Sequence, residues 1–182
     1  MDKGLIPRRY AKALYEVGEQ RNVNDSLYDT MQKLAAAFAA NNSLAPTMAN
    51  PFVPVADKVS LLETAAGFGK NGADATFADF TKLLADNRRL DIARDIALAF
   101  IDLYRTRHNI YKVAVASAAP LGDAEKKRLQ DIIAAHIGKG TMEYDYTVDP
   151  SLIGGFTVTV NSERLDASVA NRLKQIRLQL VD

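Results

Sequence analysis

Asn109-Ile110-Tyr111-Lys112-Val113-Ala114-Val115-Ala116 is the stretch that decides how this chain folds. Tyr111, Val113 and Val115 alternate with Lys112, Ala114 and Ala116, the two-residue repeat of a strand. Before it, apolar residues recur every three to four positions, as on helices. The period therefore changes near Asn109 and divides the 182 residues into a helical part, 1–108, and an α/β part, 109–182.

Working back from that point, the segment after Asn87 is apolar on a wide arc (Ile92, Ile96, Ala99, Phe100, Leu103), as suits the central helix of a bundle. Phe77, Phe80 and Leu84 mark the helix before it, after a break at Gly67, Gly69 and Gly72. Val55, Val59, Leu62 and Ala66 form an earlier stripe. The proline-bearing stretch from Asn41 to Pro54 has room for one short helix at most. Leu27, Met31, Leu34 and Phe38 form another stripe, entered through a Ser26–Asp29 capping pair. Ile6, Tyr10, Ala13, Leu14 and Val17 form the first. About six helices joined by short connections predict a bundle of antiparallel neighbours.

Working forward, Pro120-Leu121-Gly122 turns the chain and Asp123 is placed to cap a helix burying Leu129, Ile132, Ile133 and Ile137. Met142, Tyr144, Tyr146 and Val148 read as a second strand, and Phe156, Val158 and Val160 as a third. A last helix starts at Asp166 and carries Val169, Leu173, Ile176 and Leu180. The expected order is strand, helix, strand, strand, helix.

Composition narrows the function. A 48% hydrophobic content is normal for a globular chain, and 25% charged is too little for a disordered tail. The absence of cysteine excludes disulfides, thiolate catalysis and zinc–thiolate sites. Residues 1–108 hold 14 basic and 13 acidic side chains, and residues 109–182 hold nine of each. Neither part has the basic surplus that displaces counterions from nucleic acid. Lys126-Lys127-Arg128 lies among Asp123, Glu125 and Asp131 and reads as a solvated helix face. Met1-Asp2-Lys3-Gly4 lacks the apolar core of a signal peptide, and the longest apolar run, Leu34–Ala40, is too short to span a bilayer. A soluble protein is expected, with no insertion into the membrane.

No chemistry emerges from the polar residues. His108 ends a helix, and His136 sits beside apolar positions with no nucleophile-elbow sequence to serve. The runs around Lys70 (Gly67 to Gly72) and Lys139 (Gly138 to Thr141) follow helices, whereas a phosphate loop follows a strand and opens a helix. Both read as helix-terminating turns. Glu143 and Asp145 share one strand face, opposite Met142, Tyr144 and Tyr146, which is ordinary in–out patterning. No catalytic residue, metal site, cofactor or small-molecule substrate is expected.

Several motifs carry a resemblance. Arg8-Arg9-Tyr10-Ala11-Lys12-Ala13-Leu14, Asn87-Arg88-Arg89 after Phe80-Thr81-Lys82-Leu83-Leu84, and Ser117-Ala118-Ala119-Pro120-Leu121 stand in that order along the chain. Asp149-Pro150-Ser151-Leu152-Ile153-Gly154-Gly155-Phe156 and Asp166-Ala167-Ser168-Val169 follow. Together they resemble the family of bacterial and chloroplast F-type ATP synthase δ subunits and the mitochondrial oligomycin-sensitivity-conferring protein. One departure is Ala170, where the family often has a basic residue, which argues against an ionic contact there.

The resemblance implies a non-catalytic stator subunit on the cytoplasmic face of the bacterial inner membrane. The helical domain would take the N-terminal helix of an α subunit in a groove between its first and fifth helices, and the α/β domain would hold the C-terminal end of the b subunit. Tyr10, Ala13 and Leu14, with Phe77, Phe80 and Leu84, are the groove residues it implies. Tyr10, Ala13 and Leu14 also fit a bundle core, and spacing leaves that choice open. Asp149, Pro150, Gly154 and Gly155 read as a structural turn in which glycines supply unusual backbone angles or close approach. Asp166 and Ser168 read as helix-start chemistry. An adaptor of another complex, with the motifs serving only the fold, is the alternative; a small hydrolase comes third.

Overall fold

The computed structural model describes residues 4–67, 74–138, 140–160, 163–169 and 171. They gather into two compact units, within residues 1–104 and within residues 105–182. The first contains helices α1 (Leu5–Gln20), α2 (Asn24–Ala40), α3 (Leu44–Ala49), α4 (Val55–Ala66), α5 (Asp74–Asp86) and most of α6 (Ala93–His108), with a 3-10 turn at Leu90–Ile92. The second begins in the last turn of α6 and contains β1 (Ile110–Ser117), α7 (Asp123–Ile137), β2 (Thr141–Val148), β3 (Phe156–Val160) and β4 (Glu163–Asp166).

The core of the helical unit is built on α6, whose Ile96, Ala97, Phe100, Ile101 and Tyr104 are buried. Leu27, Met31 and Leu34 of α2, Met48 of α3, Leu62 of α4 and Phe77 and Leu84 of α5 are buried too. Each such side chain contributes about 1.5–3 kcal/mol relative to exposure. Tyr104 ties α6 to α2: its ring stacks on Tyr28 at 4.2 Å and its hydroxyl donates to Asp25 at 2.6 Å. Burial, and then that bond to a carboxylate, push the phenol well above its usual range.

Two details of this unit differ from the sequence reading. First, α2 starts at Asn24, so Ser26 lies inside it and accepts from the Thr30 hydroxyl through its carbonyl. The cause is the tight turn after α1. Val23 N–H donates to Gly18 and Val23 C=O accepts from Leu27, which leaves no room for a separate capping pair. Second, the buried stripe of α4 is Lys58, Leu62 and Ala66, which leaves Val55 exposed.

In the second unit the strand order is β2-β1-β3-β4. β1 and β2 are parallel, joined by α7; β1–β3 and β3–β4 are antiparallel. Val113 and Val115 of β1, Val158 of β3 and Leu129 and Ile133 of α7 form its core, with Met142, Tyr144 and Tyr146 of β2 packed against it. The alternation at Asn109 thus becomes one face turned toward α7.

The α/β fold is as expected, but several positions are corrected. β4 is an additional strand, paired through Val158–Leu165. Gly122, not Asp123, precedes α7 as its N-cap, with its N–H donated to Glu125 at 2.9 Å. Ile132 is exposed, because α7 turns only Leu129 and Ile133 onto the strands. Asp166 ends β4; the helix start belongs to Ser168, whose Oγ accepts from Asn171 N–H. Val169 and Asn171 are helical, and Leu173, Ile176 and Leu180 lie outside the described residues.

Candidate protein-binding groove

Helix α1 carries apolar residues on two faces, and this creates the site. Pro7, Ala11, Leu14, Tyr15 and Gly18 are buried at helical spacing. Ile6, Tyr10, Ala13 and Val17 form a second stripe, four, three and four residues apart, on the adjacent arc. The bundle takes the first stripe and leaves the second partly open: Tyr10 is half-buried, and Ala13 and Val17 are exposed.

Helix α5 splits in the same way. Thr76, Phe77, Phe80, Thr81 and Leu84 are buried, and Leu84 is only 1% exposed. Leu83, about 100° further round the helix, is 47% exposed. Ile6, Arg9, Tyr10 and Ala13 of α1 and Leu83, Asn87 and Arg89 at the end of α5 line an open recess of about 400 Å³. Its floor is apolar and two guanidinium groups stand at its rim; no acidic residue lines it. At the far end of α1, Arg21 donates to Asp79 at 3.0 Å and to Thr76 at 3.1 Å. That partly exposed pair adds ~0–1 kcal/mol and holds α5 beside the end of α1.

Of the six groove residues named from sequence, the structure brings Tyr10 and Ala13 to the recess. Leu14, Phe77, Phe80 and Leu84 lie in the core beneath it. The open positions are their neighbours, because Leu84 and Phe80 fill the inward stripe of α5 and force Leu83 outward. Leu83, Ile6, Arg9, Asn87 and Arg89 were missed as site residues. The available signal was the Leu83-Leu84 doublet, since one helical stripe cannot hold both.

The terminus of α5 sets the arginines. Arg88 has φ +55° and its N–H donates to Ala85, while Arg89 N–H donates to Leu84 at 2.8 Å. This left-handed cap reverses the chain, so Arg89 lines the α1–α5 recess while Arg88 lines a different one.

The motifs of the α/β unit interlock. Asp149 accepts from Ser151 N–H and Oγ–H at 3.0 and 2.6 Å, and Asp166 accepts from Ser168 in the same two ways at the same distances. These bonds hold both carboxyls below their usual range. Pro150 opens a 3-10 turn, Pro150–Leu152, that leads into the glycines. Gly154 C=O accepts from Val169 N–H at 2.9 Å, and Phe156 C=O accepts from Ala167 N–H at 3.0 Å. Gly155 has φ +76°. The two conserved-looking stretches are therefore one knot of backbone bonds.

The remaining polar candidates have structural partners. Glu143 pairs with Arg105 at 2.6 Å, and Asp145 lies 4.0 Å from Lys112. Gly67 ends α4 with φ +75°, and Gly138 ends α7 with φ +84°. Lys70, Lys139 and the side chain of His136 lie outside the described residues. Among the described residues no cluster of His, Asp and Glu is arranged to hold a metal, and no helix is long and apolar enough to cross a membrane.

A six-helix unit with an open apolar groove, followed by a mixed four-stranded α/β unit, defines a two-part scaffold of helical and α/β modules. A chain of the Toxoplasma gondii mitochondrial ATP synthase hexamer, seen by cryo-electron microscopy, has this fold: TM-score 0.73 at 21% identity, covering 97% of each chain. The family model of the ATP synthase delta (OSCP) subunit matches residues 6–180. The chain is 36% identical to the ATP synthase subunit delta of Bacteroides thetaiotaomicron over 182 residues, covering all of this chain and 97% of the relative. It is 30% identical to that of Geobacillus sp. (strain WCH70), covering all of this chain and 99% of the relative. The chain belongs to the ATP synthase delta (OSCP) subunit family.

Proposed function

We propose that this chain is a non-catalytic peripheral-stalk subunit of an F-type ATP synthase, at the cytoplasmic face of the bacterial membrane. Its helical part takes the N-terminal helix of an α subunit, and its α/β part holds the C-terminal end of the b subunit. The observation that carries this reading is the open α1–α5 groove of Ile6, Tyr10, Ala13 and Leu83, in a chain of this family. An amphipathic helix laid into such a groove buries its apolar face, and Arg9 and Arg89 at the rim suit acidic flanks.

The mechanical demand explains the chemistry. Each charge crossing the membrane delivers about 2.3 kcal/mol per 100 mV, and several cross per ATP. A stator must hold against that torque. Surface ion pairs are worth only ~0–1 kcal/mol, so apolar helix-in-groove contacts are the effective restraint. The test is binding of the purified full chain to a synthetic peptide of the α-subunit N-terminus. Saturable binding that is lost on Ala13→Arg, with the helical content unchanged, is expected. Normal binding by that variant removes the groove from the reading; an unrelated partner set on co-purification marks an adaptor of another complex.

A further inference from the structure

A second recess of about 510 Å³ lies on the helical unit, lined by residues that the α1–α5 groove does not use. Its walls are Met48 and Ala49 of α3, Pro51 and Val53 of the following loop, Val55 of α4 and Leu90; its polar groups are Lys58, Arg88 and Asp91. Lys58 is only 9% exposed. Its ammonium has no hydrogen-bond or ion-pair partner, yet is not among the buried unsatisfied atoms, so it opens into the recess it lines. A lysine stem held in a helix core with an unpaired charge at a cavity is costly unless an anion arrives. Arg88 is carried to the same recess by its left-handed backbone at the end of α5.

The rim indicates the size of the occupant. Phe52 is 92% exposed, the most exposed of the large apolar side chains described, and Val55 beside it is also exposed. Phe52 is not a loose loop tip. Asn50 Oδ1 accepts from Phe52 N–H at 2.9 Å, and Pro51 and Pro54 restrict the backbone on either side. A rigid aromatic beside an apolar recess is the form of an interface anchor. A small molecule would fill the recess but leave Phe52 and Val55 in water, whereas a polypeptide covers both.

We propose that this recess is a second protein-docking site, and that its occupant is a segment of another synthase subunit bearing an acidic side chain beside apolar ones. The acidic group sits between Lys58 and Arg88, and the apolar residues cover Phe52, Val53 and Val55. The inference rests on the reading of the chain as a synthase subunit. It assigns the paired arginines Arg88 and Arg89 one to each of two docking sites.

The test is photocrosslinking in the intact synthase, with a benzophenone analogue of phenylalanine at position 52, or at position 10 in the α1–α5 groove. Position 52 is expected to crosslink to one segment of another subunit with Asp or Glu beside apolar residues. Lys58→Met, which keeps the apolar stem, and Arg88→Glu, at an exposed position, should each cut that yield at least tenfold and leave the position-10 adduct unchanged. The proposal is overturned if position 52 gives no adduct while position 10 does, or if neither substitution changes its yield. An adduct to lipid or to a second copy of this chain also overturns it. Loss of both adducts removes the synthase reading itself.

Discussion

The carbonyl oxygen of Ala167 lies 2.4 Å from where a Cβ on Gly155 would stand, and Gly155 holds φ +76°. Residues twelve apart in sequence thus share a space that only glycine permits. Gly155→Val is expected to lower stability by about 1–3 kcal/mol or more, since a β-branched residue is strained at positive φ and the contact is with backbone that cannot swing away. Thermal unfolding measures this. A variant that melts like wild type yet loses the b subunit would mean that this glycine serves binding.

Leu83 and Leu84 are neighbours with opposite fates. Leu84→Asp places a carboxylate in the core and should unfold the helical unit, at a cost of several kcal/mol. Leu83→Asp should change stability by no more than about 0.5 kcal/mol and weaken α-peptide binding at least tenfold, about 1.4 kcal/mol. Circular dichroism and titration of the peptide separate the two. Normal peptide binding by Leu83→Asp argues against the groove, and loss of b binding in the same variant argues against separate partners for the two parts.

Residues 1–108 should fold without the rest, because the helices that supply the core of the first unit are all upstream of β1. A unit this size is only marginally stable. Cooperative thermal unfolding of that fragment is the expected result, and a broad non-cooperative melt would show that the two parts depend on each other.

Acid should loosen the α/β knot. Asp149 and Asp166 are held below the usual carboxylate range by Ser151 and Ser168, so their contribution is complete above the unfolded value, near 4. It is lost as pH falls through the lowered folded values. Replacing both with Asn, which keeps the acceptor oxygen and removes the titration, should flatten stability against pH below about pH 4. An unchanged slope in denaturant melts across that range would place the acid sensitivity elsewhere.

Nucleotide should not matter to this chain directly. Gly67 ends a helix at φ +75°, whereas a phosphate site needs backbone N–H groups at a helix start. Melting temperature should be the same with and without magnesium-ATP. Stabilisation that vanishes on Lys70→Ala or Lys139→Ala would contradict this.

The two-part architecture was legible because each part writes its period into local sequence. Three- and four-residue spacing up to His108 and strict alternation from Tyr111 to Ala116 need no tertiary knowledge to read. The strand β4 was not legible: Glu163-Arg164-Leu165-Asp166 is an exposed edge with one apolar residue. Its pairing with β3, not its composition, makes it a strand. The Ser26–Asp29 cap failed for a related reason, since a tight turn upstream had already supplied the backbone partners.

What the sequence by itself determined is which residues are apolar, on which elements, and hence the fold and family. Only the tertiary structure decided which of two apolar stripes on α1 faces the core, that Leu83 and not Leu84 meets solvent, and that Lys58 enters the buried stripe of α4 while Val55 stays out. Periodicity identifies stripes but not their neighbours. An apolar face becomes core or docking surface according to whether another helix of the same chain covers it, and that depends on packing between segments distant in sequence.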